Sequence, residues 1–313
     1  MKKYILISIV LFTGMIFFSS CKKKGCTDPA ACNYSEEAKK DDGTCIVKAS
    51  CSLDAPPSAF TKKVLLEECT GTWCPYCTDG ISRVHEIHDT HGDNFIVAAI
   101  HVSSDPMKID AGQDIRDFFE PGGTPSGLVD RVPYSNGDVN MNRGYWSTMV
   151  SQRISETPPC GLAIDASASG SVVVQAAFNA DVSGDVRVCA YLIEEDVTVA
   201  GNSQYDQKNN SNSTPGHEFE GAGSPIVGYA HEHVLRAVLS GGEPNEGDAI
   251  TVSTTEVSNM TYTYDLTGFD AAKCYIVAFV QAIGVDHGHS SDYQKYEVLN
   301  VQKVKVGDVK QYD

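Results

Sequence analysis

The apolar and polar positions divide the chain into stretches of different texture. Tyr4 to Phe18 is one apolar run behind Lys2-Lys3. Residues 21–59 are polar, short of apolar pattern and rich in cysteine, and end in an Ala55-Pro-Pro-Ser-Ala linker. From about 60 to 156 strand and helix patterns alternate. A strand at 63–69 puts Val64, Leu66 and Glu68 on one face and Leu65, Glu67 and Cys69 on the other. Ile81, Val84 and Ile87 then recur at helical spacing to about His91, and Asn94 to Val102 reads as a second strand. A helical stretch near Gln113–Phe119 follows, then a strand opened by Pro125, a turn at Tyr134-Ser-Asn-Gly and a helix over about Arg143–Ile154. From 157 on, apolar runs of strand length are separated by Gly, Asp, Asn and Ser clusters. They include Ser171–Phe178, Val186–Ile193, Ala249–Val252, Cys274–Val280 and Val298–Val306. This pattern predicts an all-β sandwich of about seven to nine strands. Asn202 to Gly223, rich in Asn and Ser, reads as a long loop or disordered flap.

Charge narrows the partners. With 24 Lys+Arg against 41 Asp+Glu and a net charge of −17, nucleic acid and anionic membrane surfaces are disfavoured as partners. Eleven cysteines do not suit a reducing compartment and point to an exported, disulfide-permissive protein. The N-terminus agrees: a basic start, an apolar run and Phe18-Ser-Ser-Cys21 make residues 1–20 a leader, with Cys21 the lipidated first residue of a lipoprotein. Lys22-Lys23-Lys24 then suits anionic headgroups. The absence of Asp after Cys21 favours the outer membrane. Cys26, Cys32, Cys45 and Cys51 staple a stalk too small for a core, in one of three possible pairings. Asp28, Asn33, Asp41 and Asp42 are candidate calcium ligands there, although they do not form an EF-hand loop.

The chemistry concentrates at Trp73-Cys74-Pro75-Tyr76-Cys77, where a strand gives way to a helix. Pro75 suits a first helical turn, so Cys74 is expected at the helix start, whose positive end lowers a thiol pKa. Cys77 is near enough to close a disulfide with it. A strand, a Trp and a Cys-x-x-Cys at a helix start mark a thioredoxin-like redox site; zinc would need a second pair of ligands nearby. Cys189 and Cys274 open strands and are candidates for a disulfide, while Cys160 reaches Cys69 or stays free. Of His85, His88 and His91 on the first helix, His88 falls in the apolar stripe and is expected to be partly buried. His231 and His233, two apart on a predicted strand, are a candidate chelating pair for a transition metal, with His217, His287 and His289 approaching from loops.

A resemblance sharpens this. Val64-Leu-Leu-Glu-Glu, Thr70-Gly-Thr-Trp-Cys, Gly122-Gly-Thr-Pro-Ser-Gly-Leu-Val-Asp-Arg131 and Tyr229-Ala-His-Glu-His-Val-Leu-Arg236 resemble the Omp28-related family of Bacteroidota outer-membrane lipoproteins. The resemblance covers roughly residues 60–313, with Cys69 where an aromatic residue is expected. It implies a thioredoxin-like domain (60–156) followed by a β-sandwich domain (157–313), Ig-like or jelly-roll-like. Likeness to thioredoxins further implies a cis Thr124-Pro125 that docks substrate backbone, and a buried carboxylate at Glu68 that shuttles the resolving thiol's proton. The expected function is a membrane-anchored thiol–disulfide oxidoreductase acting on protein thiols or disulfides. No cofactor is required by this chemistry. The competing expectation is a binding lipoprotein with a structural Cys74–Cys77 disulfide.

Overall fold

The computed structural model describes residues 23–313, apart from 29–30, 32–33, 36, 42, 44, 46–52, 120–122 and 135–136. The leader, the lipidation candidate Cys21, the stalk cysteines Cys32 and Cys51, and the calcium candidates Asn33 and Asp42 lie outside the described residues. The chain divides into a unit ending at Ser50 and one running Cys51–Asp313. In the first, Cys26 and Cys45 form a disulfide, and Asp41 accepts the Gly43 N–H at 2.9 Å.

The second unit opens with β1 (Val64–Thr70), α1 (Cys77–His91), β2 (Phe95–His101) and α2 (Asp110–Phe118). Next come β3 (Ser126–Val129), β4 (Asn140–Asn142) and α3 (Trp146–Ile154). β1 pairs parallel with β2 and antiparallel with β3, which pairs antiparallel with β4. The alternation read along β1 separates two cores. Val64 and Leu66 pack under α1 and α3 with Val84, Ile87, Trp146 and Val150. Leu65 faces the opposite side with Ile115 and Phe119 from α2 and the residue after it. Both faces are covered, so all seven residues of β1 are buried, as expected of a strand at the centre of an α/β layer. This is the thioredoxin-like arrangement.

The remaining chain forms β5 (Cys160–Asp165), β6 (Ser171–Phe178), β7 (Asp185–Glu194), β8 (Val234–Val238) and β9 (Asp248–Ala249). β10 (Ser258–Thr263), β11 (Cys274–Ile283), β12 (Tyr296–Lys305) and β13 (Val309–Lys310) complete it. A four-stranded sheet, β10-β6-β5-β13, packs its apolar face on β7 and β11, and the expected sandwich is present. Its second sheet is not separate. The order β12-β11-β7-β8-β2-β1-β3-β4 runs through both segments, joined where Ala99 pairs with Val234. The texture change at 157 therefore marks a change of element type within one unit. β7, β11 and β12 share a core with β1, β2 and α2 through Tyr191, Phe279, Val298 and Leu65.

Charged residues hold this junction. Arg131 is wholly buried: its Nε and Nη2 donate to Glu67 at 2.7 and 2.8 Å, Nη1 donates to Gln281 and the Asn245 carbonyl, and Nη2 also reaches Tyr191. Burial works against its charge, but Glu67 outweighs it and the guanidinium stays charged. Beside it, Asp130 accepts from Lys62 at 2.7 Å, Arg153 at 2.9 Å and the Leu65 N–H at 2.9 Å. Asp130 and Arg131 both have positive φ, 47° and 57°, and that turn sends one side chain into each cluster.

The expected Cys189–Cys274 bridge is not formed; both thiols are free and buried. In the β7–β11 register Cys189 sits opposite Phe279, and Cys274 opposite Glu194. The two are thus offset by five positions, roughly 17 Å along a strand, where a disulfide needs Cα atoms within about 7 Å. They also face different cores. Cys69 and Cys160 are likewise free and buried.

Candidate active site

β1 ends at Thr70, and the chain turns through Gly71–Tyr76 before α1. A side chain at Gly71 would meet the Trp73 indole, its Cβ coming within 2.6 Å of Nε1. With no Cβ there, Trp73 folds back and donates its Nε1–H to the Val102 carbonyl at 3.3 Å. Cys74 and Cys77 form a disulfide. Cys74 Sγ lies 3.5 Å from the Thr124 carbonyl oxygen, and the Thr124-Pro125 bond is cis. The residues expected to face one another, Cys74, Cys77, Thr124 and Pro125, are therefore brought together. Trp73 and Tyr76 flank the pair, 40% and 53% exposed, whereas Cys74 itself is only 2% exposed.

The helix starts later than its pattern predicts. α1 begins at Cys77, so the second cysteine, not the first, sits at its N-terminus. The turn before it is closed by the Cys77 N–H on the Cys74 carbonyl at 3.3 Å. The Asp79 N–H bonds the Tyr76 carbonyl at 3.1 Å, and the Pro75 carbonyl accepts the Asn210 N–H at 2.7 Å and the Thr78 hydroxyl at 3.3 Å.

Glu68 lies against α1 and Pro125. A Cβ at Gly80 of α1 would fall 2.9 Å from both Glu68 Oε1 and Pro125 Cβ, so the carboxyl, the helix and Pro125 meet at one point. Glu68 is buried, and Oε1 has no hydrogen-bond partner among the described protein atoms. Burial raises its pKa to about 8, with His85 pulling the other way. A carboxyl so placed is neutral or half-ionised near neutral pH, and able both to accept and to return a proton. The four free cysteines among the described residues make a contrast. Burial pushes Cys69, Cys160 and Cys189 up to about 12 and Cys274 to about 11. None supplies thiolate near neutral pH.

Glu68 opens on a polar cavity of about 20 Å³, lined among others by Thr70, His85, His101, Gln207, Tyr229 and His231. His85 stands at its mouth, bonded to Glu232 at 2.9 Å and Glu218 at 2.8 Å. These carboxylates, Glu232 first, outweigh burial and raise its pKa to about 9. Burial, then His101, lowers His231 to about 4, and its Nε2 hydrogen bonds the Tyr205 carbonyl at 2.8 Å. Burial disfavours charge on Asp105, but His101 and the backbone N–H groups of Met107 and Thr72 hold it below the usual carboxylate range. The Thr72 N–H reaches it at 2.6 Å, tying down the turn that carries the two cysteines.

Other expectations do not hold. His88 is exposed, not partly buried. His231 and His233 precede β8 instead of lying in it; His233 has φ 57° and bonds Glu195 at 2.8 Å, so the pair has separate partners and does not converge. Among the described residues no three or more His, Cys, Asp or Glu gather as a metal requires. The Asn202–Gly223 segment is a loop, but an ordered one, with 3₁₀ turns at Ser203–Tyr205 and Asn210–Ser213. Its Gln207 and the Asp105 anchor carry no motif, and the pattern reading misses them. Tyr229 and His231 are legible only as part of the Tyr229–Arg236 wording.

A family model described as "Outer membrane protein Omp28" matches residues 113–310. That span takes in Thr124-Pro125 and Tyr229–Arg236, but not Glu68, Cys74 or Cys77. Among solved structures, HBP35 of Porphyromonas gingivalis is similar at a TM-score of 0.60 and 18% identity, covering 81% of this chain and 78% of its own. At that identity the likeness bears on the fold alone. A domain of the outer membrane lipoprotein Omp28 from Porphyromonas gingivalis is 19% identical, covering 49% of this chain and 96% of its own, at a TM-score of 0.25. A thiol:disulfide interchange protein of the thioredoxin family from Chlorobium tepidum TLS is 17% identical, covering 33% and 99%, at 0.23. Scores of that size carry no weight for the fold. No curated protein sequence matches. The chain belongs to the Omp28 family of outer membrane proteins, and with it to the outer-membrane envelope.

Proposed function

We propose that the protein is an envelope thiol–disulfide oxidoreductase, held to its membrane by lipid on Cys21. The observation that carries this reading is the Cys74–Cys77 disulfide set against the cis Thr124-Pro125 bond, with the buried Glu68 carboxyl packed beside Pro125 and α1. In the direction that oxidises the protein, Cys74 thiolate attacks one sulfur of a client disulfide, and the other sulfur leaves as thiolate. The Cys77 thiol gives its proton to Glu68 and attacks Cys74, closing the disulfide and releasing the second client thiolate. The client is thereby reduced by two electrons; the reverse sequence oxidises a client dithiol. Thr124 presents a backbone carbonyl beside the reacting sulfur, and Trp73 and Tyr76 offer exposed aromatic surface to a protein client.

A second reading is favoured by one observation. Cys74 is 2% exposed in the disulfide, as expected of a structural bond in a partner-binding lipoprotein. The redox equilibrium of the pair against glutathione separates the two, with Cys74→Ser as control. A potential between about −120 and −270 mV, the range of known exchange catalysts, supports the oxidoreductase. A pair that lies below about −300 mV, or never exchanges, marks a structural disulfide and the binding role.

A further inference from the structure

We infer that the loop from Asn202 to Gly228 clamps the redox turn, with Gln207 as its positioning residue. The redox consequence rests on the oxidoreductase reading; the clamp rests on geometry. Four points of the turn, the carbonyls of Gly71, Thr72, Cys74 and Pro75, accept bonds from this one loop. Gln207 Nε2 donates to the Cys74 carbonyl at 3.0 Å and to the Gly71 carbonyl at 3.4 Å. The Lys208 N–H donates to Thr72 at 2.8 Å and the Asn210 N–H to Pro75 at 2.7 Å. These contacts bracket the first cysteine on both sides, and Asn210 meets the Pro75 carbonyl just ahead of the start of α1.

The loop is braced well enough to act as a fixed template. Gln207 is 1% exposed, and its backbone pairs with Ile226 in both directions, at 3.2 and 2.8 Å. Asn209 Nδ2 donates to the carbonyls of Phe219 and Gly223 at 3.0 and 2.9 Å. The far end is tied to α1 by Glu218 on His85 at 2.8 Å. Gln207 also walls the cavity onto which Glu68 opens. One side chain thus touches the turn that sets the cysteine spacing and borders the group placed to move the proton.

The physical consequence concerns ring closure. A turn already held in shape loses little conformational freedom when its two sulfurs join, so the clamp favours the disulfide over the dithiol. Gln207→Leu keeps the bulk of the side chain and removes the two bonds to the turn, together with the Nε2 bond to the Lys208 carbonyl at 2.9 Å. The expected result is a shift of about tenfold toward the dithiol in the Cys74–Cys77 equilibrium, about 30 mV for a two-electron couple.

The test uses the mature chain equilibrated first with glutathione and then with dithiothreitol, so that even a very stable pair has a measurable equilibrium. Thermal unfolding of the oxidised form is followed in parallel. Val227→Ser, in the same loop but with Val227 79% exposed, is the control and should match the unsubstituted protein. If Gln207→Leu lowers the unfolding midpoint yet leaves the equilibrium within twofold, Gln207 is structural only and the inference is overturned. If that variant does not fold, Asn210→Pro decides. Asn210 opens a 3₁₀ turn, a position proline suits, and the change removes only the bond to the Pro75 carbonyl. A shift toward the dithiol supports the clamp, and no shift overturns it. Failure of the oxidoreductase reading looks different: the unsubstituted pair itself would not exchange with glutathione, while its response to dithiothreitol still reports on the clamp.

Discussion

Replacing Glu68 by Gln tests the most unusual group in the site. The carboxyl is buried, and burial lifts its pKa from 4.5 to about 8. In the unfolded chain the same group ionises near its ordinary value, so between those two pH values the folded state holds a proton that the unfolded state has released. The sign follows directly: the contribution to stability is fully present below pH 4.5 and is lost as pH rises toward 8. A tenfold difference in proton affinity between the two states is worth about 1.4 kcal/mol, so the total approaches about 5 kcal/mol. The amide of the Glu68→Gln variant cannot ionise, and that protein lacks the slope. His85, raised to about 9 by Glu232 and Glu218, stabilises both proteins below its unfolded pKa and loses that contribution as pH climbs through 9; it largely cancels in the difference. The assay is urea denaturation of disulfide-intact protein in steps from pH 5 to 8.5. Relative to Glu68→Gln, the unsubstituted protein should lose about 1 kcal/mol or more with each step of one in pH, up to about pH 7.5. A difference that stays constant across that range would mean that Glu68 is already ionised and solvated, and the proton role argued for it would fall with it.

Three further outcomes are expected. Cys74→Ser should abolish exchange with a model disulfide, whereas Cys77→Ser should accumulate a mixed disulfide visible by intact-protein mass; exchange surviving in Cys74→Ser would assign attack elsewhere. Arg131→Met leaves Glu67 buried without its cation and should cost about 3–5 kcal/mol, with much of it recovered when Glu67→Gln is added; equal losses in the single and double variants would argue against a coupled pair. Cys69, Cys160, Cys189 and Cys274 should resist alkylation at pH 8 until the protein unfolds, since burial holds them free but inert. Labelling of any of them at the rate of a free thiol would contradict the packing described.

The contrast between what the chain's pattern shows and what it hides has a physical cause. β1 is legible to its facing because strand alternation is local, and Leu65 and Leu66 do enter different cores. Thr124-Pro125 and the Cys74–Cys77 pair are legible because their chemistry sits in short runs. The start of α1 is not, since the turn before it is held by partners more than a hundred residues away, Gln207, Lys208 and Asn210, that local propensity does not carry. His88 misleads for the opposite reason: helical spacing places it near the apolar stripe, but no neighbouring element covers it and it is exposed. The Cys189–Cys274 expectation fails on register, which a strand pattern does not carry.

The turn carrying Cys74 and Cys77 is thus held from two sides by chain segments of different origin. Asp105, in the loop after β2, fixes the Thr72 N–H, and Lys208, between β7 and β8, fixes the carbonyl of the same residue. The junction beneath follows the same logic. Asp130 and Arg131 leave β3 in adjacent positions and are neutralised by Lys62 and Arg153 on one side and by Glu67, with Tyr191 and Gln281 from the β region, on the other. A buried Arg131 stripped of its β-region partners would strand hydrogen-bond donors in an apolar core, and the face of β1 carrying Leu65 would lose Tyr191 and Phe279 as cover. The thioredoxin-like segment therefore does not carry its own complete interior. The β region supplies part of its core, part of its charge balance and one wall of its cysteine-bearing turn, so the folded unit takes in both the thioredoxin-like segment and the strands that follow it.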